Sequence, residues 1–405
     1  MKKLTPIFGF LVFLALLVSC NSDASEGIFR QISQTTTPSG IVYTRLLGID
    51  SPYLYFQTNE GVYRIASSST NASTQLVASE KYDPLEEGSG LIKGVAYAAS
   101  NDKLYVLKNF TDSFYRYDSD GTNRAKIIVS DTYTSTNLST YTINNLYSNS
   151  MLVLEGQDGS SNAGYDIAAY DGATVTEIVG FSSIDISGYG LDNFLMQTTR
   201  QDDATAPIII SFADSSDSDT PAYLHYLVDP SGKKNLISDI NDVRLANFYY
   251  DGSNLYILTY EGKLYFYNTV DSTSETDITG KILLKDSSQD YNANAFFYPV
   301  PNTAGTALNL VSKYSTKASS LYVFSVDTGT NTLSGTASIS KGYAEYLDAS
   351  NIVSALETTT STTSVPNLIV ATRKNGMFEI TIDIDSANLN TSLNGTSSVS
   401  EDYTF

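Results

Sequence analysis

Residues 101–129 read NDKLYVLKNFTDSFYRYDSDGTNRAKIIV, and they contain the unit from which the rest of the chain is built. An apolar run, Leu104-Tyr105-Val106, is followed by a polar break. A second run, Ser113 to Asp118, alternates Phe114 and Arg116 with Tyr115 and Tyr117, then an Asp-Gly turn leads to a weaker apolar strand. Period-two alternation puts successive side chains on opposite faces of a strand, and Asp-Gly between two such runs is a hairpin signal.

The unit recurs. Its "LYV" strand appears as Leu54-Tyr55-Phe56, Leu104-Tyr105-Val106, Met151-Leu152-Val153 and Phe194-Leu195-Met196. It continues as Leu255-Tyr256-Ile257, Leu308-Asn309-Leu310 and Leu368-Ile369-Val370, at spacings of 50, 47, 43, 61, 53 and 60 residues. A following strand, often ending in Asp, appears as GVYRI at 61–65, SFYRYD at 113–118, GYDIAAYD at 164–171 and AYLHYLVD at 222–229. It returns as GKLYFYNT at 262–269, SLYVFSVD at 320–327 and GMFEITID at 376–383. Four strands per repeat and seven repeats predict an all-β chain folded as a β-propeller of seven four-stranded blades over 41–390. A lone four-stranded sheet cannot bury both faces, whereas blades packed round an axis cover each other and leave only short edges. Two successive β-sandwiches, or six or eight blades, are the competing architectures. Closure of the ring is open, because GIFRQIS at 27–33 resembles a stray third strand able to complete the last blade. With no Trp and one His, the chain lacks the Gly-His and Trp-Asp pairs of WD40 repeats and the docking Trp of quinoprotein-like propellers.

The chain opens MKKLTPIFGFLVFLALLVSC. Lys2 and Lys3 precede an apolar run from Pro6 to Val18, which is short of the ~20 residues a membrane-spanning helix needs. The run ends in Leu17-Val18-Ser19-Cys20, which resembles the lipobox of bacterial lipoproteins, and Cys20 is the chain's only cysteine. That resemblance implies a signal peptide at 1–19, cleavage before Cys20, and lipidation of Cys20 by diacylglyceryl and acyl (palmitate-type) chains. It implies a body tethered to a membrane of the bacterial envelope, through polar residues 21–40. Residues 391–405 read as a C-terminal tail.

The net charge is −20, and removing 1–19 takes away two lysines and no acid, leaving −22. Such a surface repels polyanions and anionic lipid, so nucleic acid is excluded as a partner and lipid does the anchoring. One Cys and one His exclude a disulfide framework, a thiolate zinc centre and a His-rich metal site.

Most loops between second and third strands are short. The exception is Thr198 to Pro221, which carries Asp202, Asp203, Asp214, Asp217 and Asp219 around a small apolar strand, Ile208-Ile209-Ile210. Long loops on a rigid scaffold carry binding, so this is the candidate partner-binding flap. Its clustered carboxylate oxygens would suit a weakly held Ca²⁺ ion; a solvated insertion is the plainer reading. Asp118-Ser119-Asp120-Gly121-Thr122-Asn123 begins like a calcium loop but lacks the distal Glu and reads as a hairpin turn. Asp383 and Asp385 alternate with Ile382 and Ile384, as on one exposed strand face. His225 shares a strand face with Tyr223 and Leu227 and reads as a packed or rim residue.

There is no Gly-x-Ser-x-Gly elbow, P-loop, dinucleotide fingerprint or zinc signature. These features favour a non-enzymatic, membrane-anchored propeller that binds or assembles another envelope protein. The alternatives are a surface glycan-binding protein or a polysaccharide lyase or hydrolase, suggested by 30 Tyr, and a surface lipoprotein with no dedicated ligand. Recurrence of Tyr55, Tyr105 and Tyr256 at one repeat position suits packing between blades better than a sugar site.

Overall fold

A computed structural model describes most of residues 41–405; residues 1–40 and several connections, including 182–188, 197–206, 215–221, 278–296 and 339–351, are outside the description. Blade 1 comprises β1 (Tyr43–Asp50), β2 (Tyr53–Thr58), β3 (Gly61–Ala66) and β4 (Thr74–Ala78). Blade 2 has β5 (Ile92–Ala98), β6 (Lys103–Lys108), β7 (Ser113–Asp118) and β8 (Ala125–Ile128), and blade 3 has β9 (Thr140–Leu146), β10 (Met151–Gln157), β11 (Ala163–Tyr170) and β12 (Val175–Phe181). In blade 4 are β13 (Tyr189–Met196), β14 (Ile208–Asp214), β15 (Tyr223–Val228) and β16 (Lys234–Leu236). Blade 5 follows with β17 (Leu245–Tyr250), β18 (Leu255–Thr259), β19 (Leu264–Tyr267) and β20 (Glu275–Asp277). Blade 6 is β21 (Phe297–Pro301), β22 (Ala307–Lys313), β23 (Leu321–Asp327) and β24 (Thr332–Ser338). Blade 7 is β25 (Ile352–Glu357), β26 (Asn367–Thr372), β27 (Gly376–Asp383) and β28 (Thr396–Tyr403).

Among the described residues these are seven four-stranded antiparallel sheets, each a meander of consecutive strands. First strands meet in the middle: β1 touches β5 and β25, β5 touches β9, and β17 touches β13 and β21, which itself reaches β25. The last blade therefore lies against the first, and the chain is a β-propeller, as its repeats predict. A backbone bond from Tyr43 N–H to the Arg373 carbonyl (3.0 Å) adds to this closure.

Two expectations change. Blade 7 takes its fourth strand from β28, inside the stretch read as a tail, and is complete without GIFRQIS at 27–33, which lies outside the described residues. In blade 4, Phe194-Leu195-Met196 belongs to the first strand, and the second is Ile208–Asp214. The uneven 43- and 61-residue spacings came from this one-strand slip. The physical cause is that both strands are apolar, so hydrophobicity alone does not rank them.

Among the described residues, second strands such as β6 and β10 are buried on both faces between two neighbouring blades. Along β6, Leu104 and Val106 pack with blade 1 residues Leu47, Tyr55 and Val62. Tyr105 and Leu107 pack on the other side with blade 3 residues Leu152 and Leu154. Each such aliphatic side chain, fully buried, contributes roughly 1.5–3 kcal/mol. Tyrosines span the interfaces: Tyr55 stacks on Tyr97 (4.2 Å between ring centroids), and Tyr105 meets Tyr170 edge-on (6.2 Å).

A register shift recurs between first and second strands in blades 1, 2, 3, 4, 5 and 7. Such bulges add twist, which suits strands converging on an axis. In blades 3 and 5 an Asn follows the bulge, and its Oδ1 accepts the next N–H: Asn145 from Leu146 (2.8 Å) and Asn247 from Phe248 (2.9 Å).

Candidate functional site

In a meander, connections between blades and loops joining second to third strands emerge on one face, and the remaining turns on the other. The first is called here the connection face. Three of its connections are held from below by a buried polar side chain.

Lys108 extends the Leu104–Val106 face of β6 toward blade 1. Its Nζ donates to the carbonyls of Ala78 (3.0 Å) and Gly88, at the two ends of the connection from blade 1 to blade 2. Burial lowers its pKa, because an ammonium loses hydration there; nearby Glu80 acts the opposite way. The connection is also tied internally. Asp83 N–H donates to Ser89 Oγ (2.8 Å), that hydroxyl donates back to the Asp83 carbonyl (2.7 Å), and Leu85 N–H reaches Asp83 Oδ1 (2.8 Å). Gly88 has φ +86°, and a Cβ there would lie 2.6 Å from the Arg124 guanidinium. The loop lifts Leu85, 94% exposed, into solvent.

Asp166 of β11 does the same work with the opposite charge. It is buried, on the strand face of Ala168 and Tyr170 that packs toward blade 2. Tyr133 Oη donates to its Oδ2 (2.7 Å), as does Ser135 Oγ, and Asn137 Nδ2 reaches its Oδ1 (3.3 Å). All three donors belong to the connection from blade 2 to blade 3. Asn137 also reaches Glu177 (3.1 Å) and lies over Gly180, where a Cβ would fall 1.8 Å from its Nδ2. Burial raises the Asp166 pKa, against the lowering effect of Ser135 and Tyr133.

His225 is fully buried under the connection from blade 4 to blade 5. Its Nε2 lies 2.9 Å from the Val243 carbonyl and its Nδ1 2.8 Å from Ser211 Oγ. A carbonyl only accepts, so Nε2 carries a proton, and in the neutral ring Nδ1 then accepts from the serine. Tyr223 stacks on the ring (5.6 Å). Ser211 is equally enclosed, so this Ser–His pair fastens a loop and is closed to substrate.

The predicted Asp202–Asp219 flap is divided by a core strand. Ile208, Ile209, Ile210 and Phe212 of β14 are buried, and Asp214 ends that strand opposite Tyr189. Asp202 and Asp203 precede the strand and Asp217 and Asp219 follow it; these four lie outside the described residues, as does Asp385. Asp383 ends β27. Among the described residues, no group of three His, Cys, Asp or Glu side chains is placed to hold a metal.

On the opposite face, the recurrent terminal Asp of third strands caps the turn to the fourth. Asp118 pairs with Lys103 (2.5 Å) and accepts from Asn123 (2.6 Å); these bonds, Asn123 first, lower its pKa. Asp171 accepts from Ala173 and Thr174, Asp229 from Ser231 and Lys233, and Asp327 from Gly329 and Thr330. The calcium-like spacing at 118–123 is thus a hairpin turn, closed by Gly121 N–H on the Asp118 carbonyl (2.9 Å). Tyr55, Tyr105 and Tyr256 are buried, so they form no exposed platform for a sugar.

Sequence reading passed over Lys108 and Asp166. The available signal was a charge standing where strand alternation calls for an apolar residue: Lys108 after Leu104 and Val106, and Asp166 before Ala168 and Tyr170.

No family model and no curated relative matches the chain. The fold is similar to a solved structure described as a complex of KlAtg21 with the coiled-coil of AgAtg16, with TM-score 0.52 and 10% identity, over 89% of this chain and 98% of that one. It is also similar to a structure from work on two prolyl endopeptidases, with TM-score 0.51 and 9% identity, over 94% of this chain and 56% of that chain. PorZ, described as a bacterial surface component of the type-IX secretion system of Porphyromonas gingivalis, matches at TM-score 0.48 and 9% identity, over 89% of this chain and 38% of that one. At these identities the likeness concerns the fold alone.

Proposed function

We propose that the chain is a lipid-anchored protein of the bacterial cell envelope, and that its propeller binds another envelope protein through the connection face. The observation that carries this reading is the set of buried pins. Lys108, Asp166 and His225 hold three connections in fixed conformations before any partner arrives, which lowers the ordering cost of binding. The connection over Lys108 offers the exposed Leu85 and Leu91, with Glu80, Asp83 and Glu86 nearby in sequence. Leu17-Val18-Ser19-Cys20 supports the anchor, and a propeller fold is compatible with a scaffold role.

The test uses the full chain in intact bacterial cells, with a photo-crosslinking amino acid at position 85 or, on the opposite face, at position 173. The expected result is one stoichiometric protein adduct from position 85 and none from 173. Cys20→Ser should abolish palmitate labelling and release the protein from the membrane fraction. Equal adducts from both faces would remove the binding assignment, and membrane retention by Cys20→Ser would remove the anchor.

A further inference from the structure

The three pinned connections treat their apolar residues differently. In the connection from blade 2 to blade 3, Val129, Tyr133 and Leu138 turn into the core between those blades. In the connection from blade 4 to blade 5, Ile237, Ile240 and Val243 are buried. The connection from blade 1 to blade 2 does the reverse: Leu85 is 94% exposed and Leu91 55%. Among the described residues, the other large apolar side chain in solvent is Leu236, on the outer strand of blade 4.

Hydrogen bonds hold Leu85 in that position. At the neck of the loop, Ser79 Oγ accepts from the Ile92 N–H (3.0 Å) and the Glu80 N–H donates to the Gly90 carbonyl (3.3 Å). Inside it, the Glu86 N–H donates to the Asp83 carbonyl (3.1 Å) and the Ser89 N–H to the Glu86 carbonyl (3.1 Å). Gly88, Ser89 and Gly90 are buried and Lys108 binds the foot, so the tip cannot fold down without breaking these bonds. An exposed leucine gains nothing on folding, and the free energy of burying it is left for contact with another surface. Glu80, Asp83 and Glu86 of the same loop are exposed, against one exposed cation, Lys81. The loop is thus apolar at its tip and acidic on its flanks. A second copy of this chain, with its net charge of −20, and an anionic lipid surface would both meet it with like charge, whereas a basic surface complements it.

We infer that Leu85 anchors this face to a partner protein by entering an apolar recess rimmed by Lys and Arg. The inference rests on the connection-face reading above and names the chemistry of the partner.

The test uses the full chain in intact cells at low expression, with a photo-crosslinking amino acid at position 81, which leaves both leucines in place. Leu85→Ala should lower the yield of the protein adduct about tenfold, and Leu85→Met should preserve it. Glu86→Lys should lower it about tenfold and Glu86→Gln about threefold, because only the first repels a basic rim. Mass spectrometry of the adduct should place the partner's crosslinked peptide beside Lys or Arg. Both substituted side chains are exposed, so the purified variants should melt at the temperature of the parent chain. An adduct yield that ignores Leu85→Ala would overturn the anchor, and one that ignores Glu86→Lys would overturn the basic rim; in either case the connection face remains the binding face. An adduct to a second copy of the chain or to lipid would overturn the partner class. The absence of any adduct from positions 81 and 85 would remove the connection-face reading together with the inference.

Discussion

On the connection face, single buried groups hold whole loops; on the opposite face, aspartates that are half-buried or exposed hold short turns. Lys108, Asp166 and His225 each lie beneath a connection and satisfy its backbone or side-chain groups out of contact with water. Asp171, Asp229 and Asp327 cap turns whose groups water can reach. A buried partner that is removed leaves an unsatisfied group, whereas solvent replaces an exposed one. The difference teaches that the connection face depends on a few positions, and the turn face on none in particular.

The largest expected effect is at Asp166. Asp166→Ala strands the Tyr133 and Ser135 hydroxyls and should cost about 2–3 kcal/mol, read by urea unfolding at neutral pH. Ser211→Ala leaves His225 Nδ1 unsatisfied and should cost about 1–2 kcal/mol. Lys108→Met should alter global stability less, because it also removes a dehydrated charge, and should instead loosen one loop. Faster amide exchange confined to residues 79–91 is its signature. Asp229→Ala should cost at most about 0.5 kcal/mol. A loss there as large as that of Asp166→Ala would break the contrast between the faces.

Acidity sharpens the comparison within the connection face. Burial raises the Asp166 pKa, so the folded state holds that proton more tightly than the unfolded chain. Its contribution to stability is fully present below the ordinary carboxyl pKa of about 3.9 and is lost as pH rises through the raised value. Lys108 has the opposite signature: its pKa is lowered, so its contribution is present above the ordinary lysine range and lost as pH falls through the lowered value. The stability of the native chain relative to Asp166→Asn should therefore decline as pH rises from the ordinary carboxyl range toward neutrality. A flat difference would mean that burial does not govern Asp166.

The sequence by itself determined the blade. Alternation within strands, Asp-Gly and related turns, and recurrence of one unit specify a meander of four strands, because these are local properties of consecutive residues. Recurrence also pointed to a ring, since a repeated sheet that is apolar on both sides stacks on copies of itself, but closure came from contacts between the first and last blades. The terminal Asp of third strands was legible as a pattern, and its work as a turn cap followed from local geometry. Tertiary structure decided the rest. It assigned Ile208–Asp214 to the second place in blade 4, because rank in a sheet depends on which neighbours cover a strand. It closed blade 7 with Thr396–Tyr403, a strand too polar to announce itself. It also turned Lys108, Asp166 and His225 into pins. A charged residue in a strand reads as exposed until the loop folding over it is known, and that loop is positioned by packing between blades.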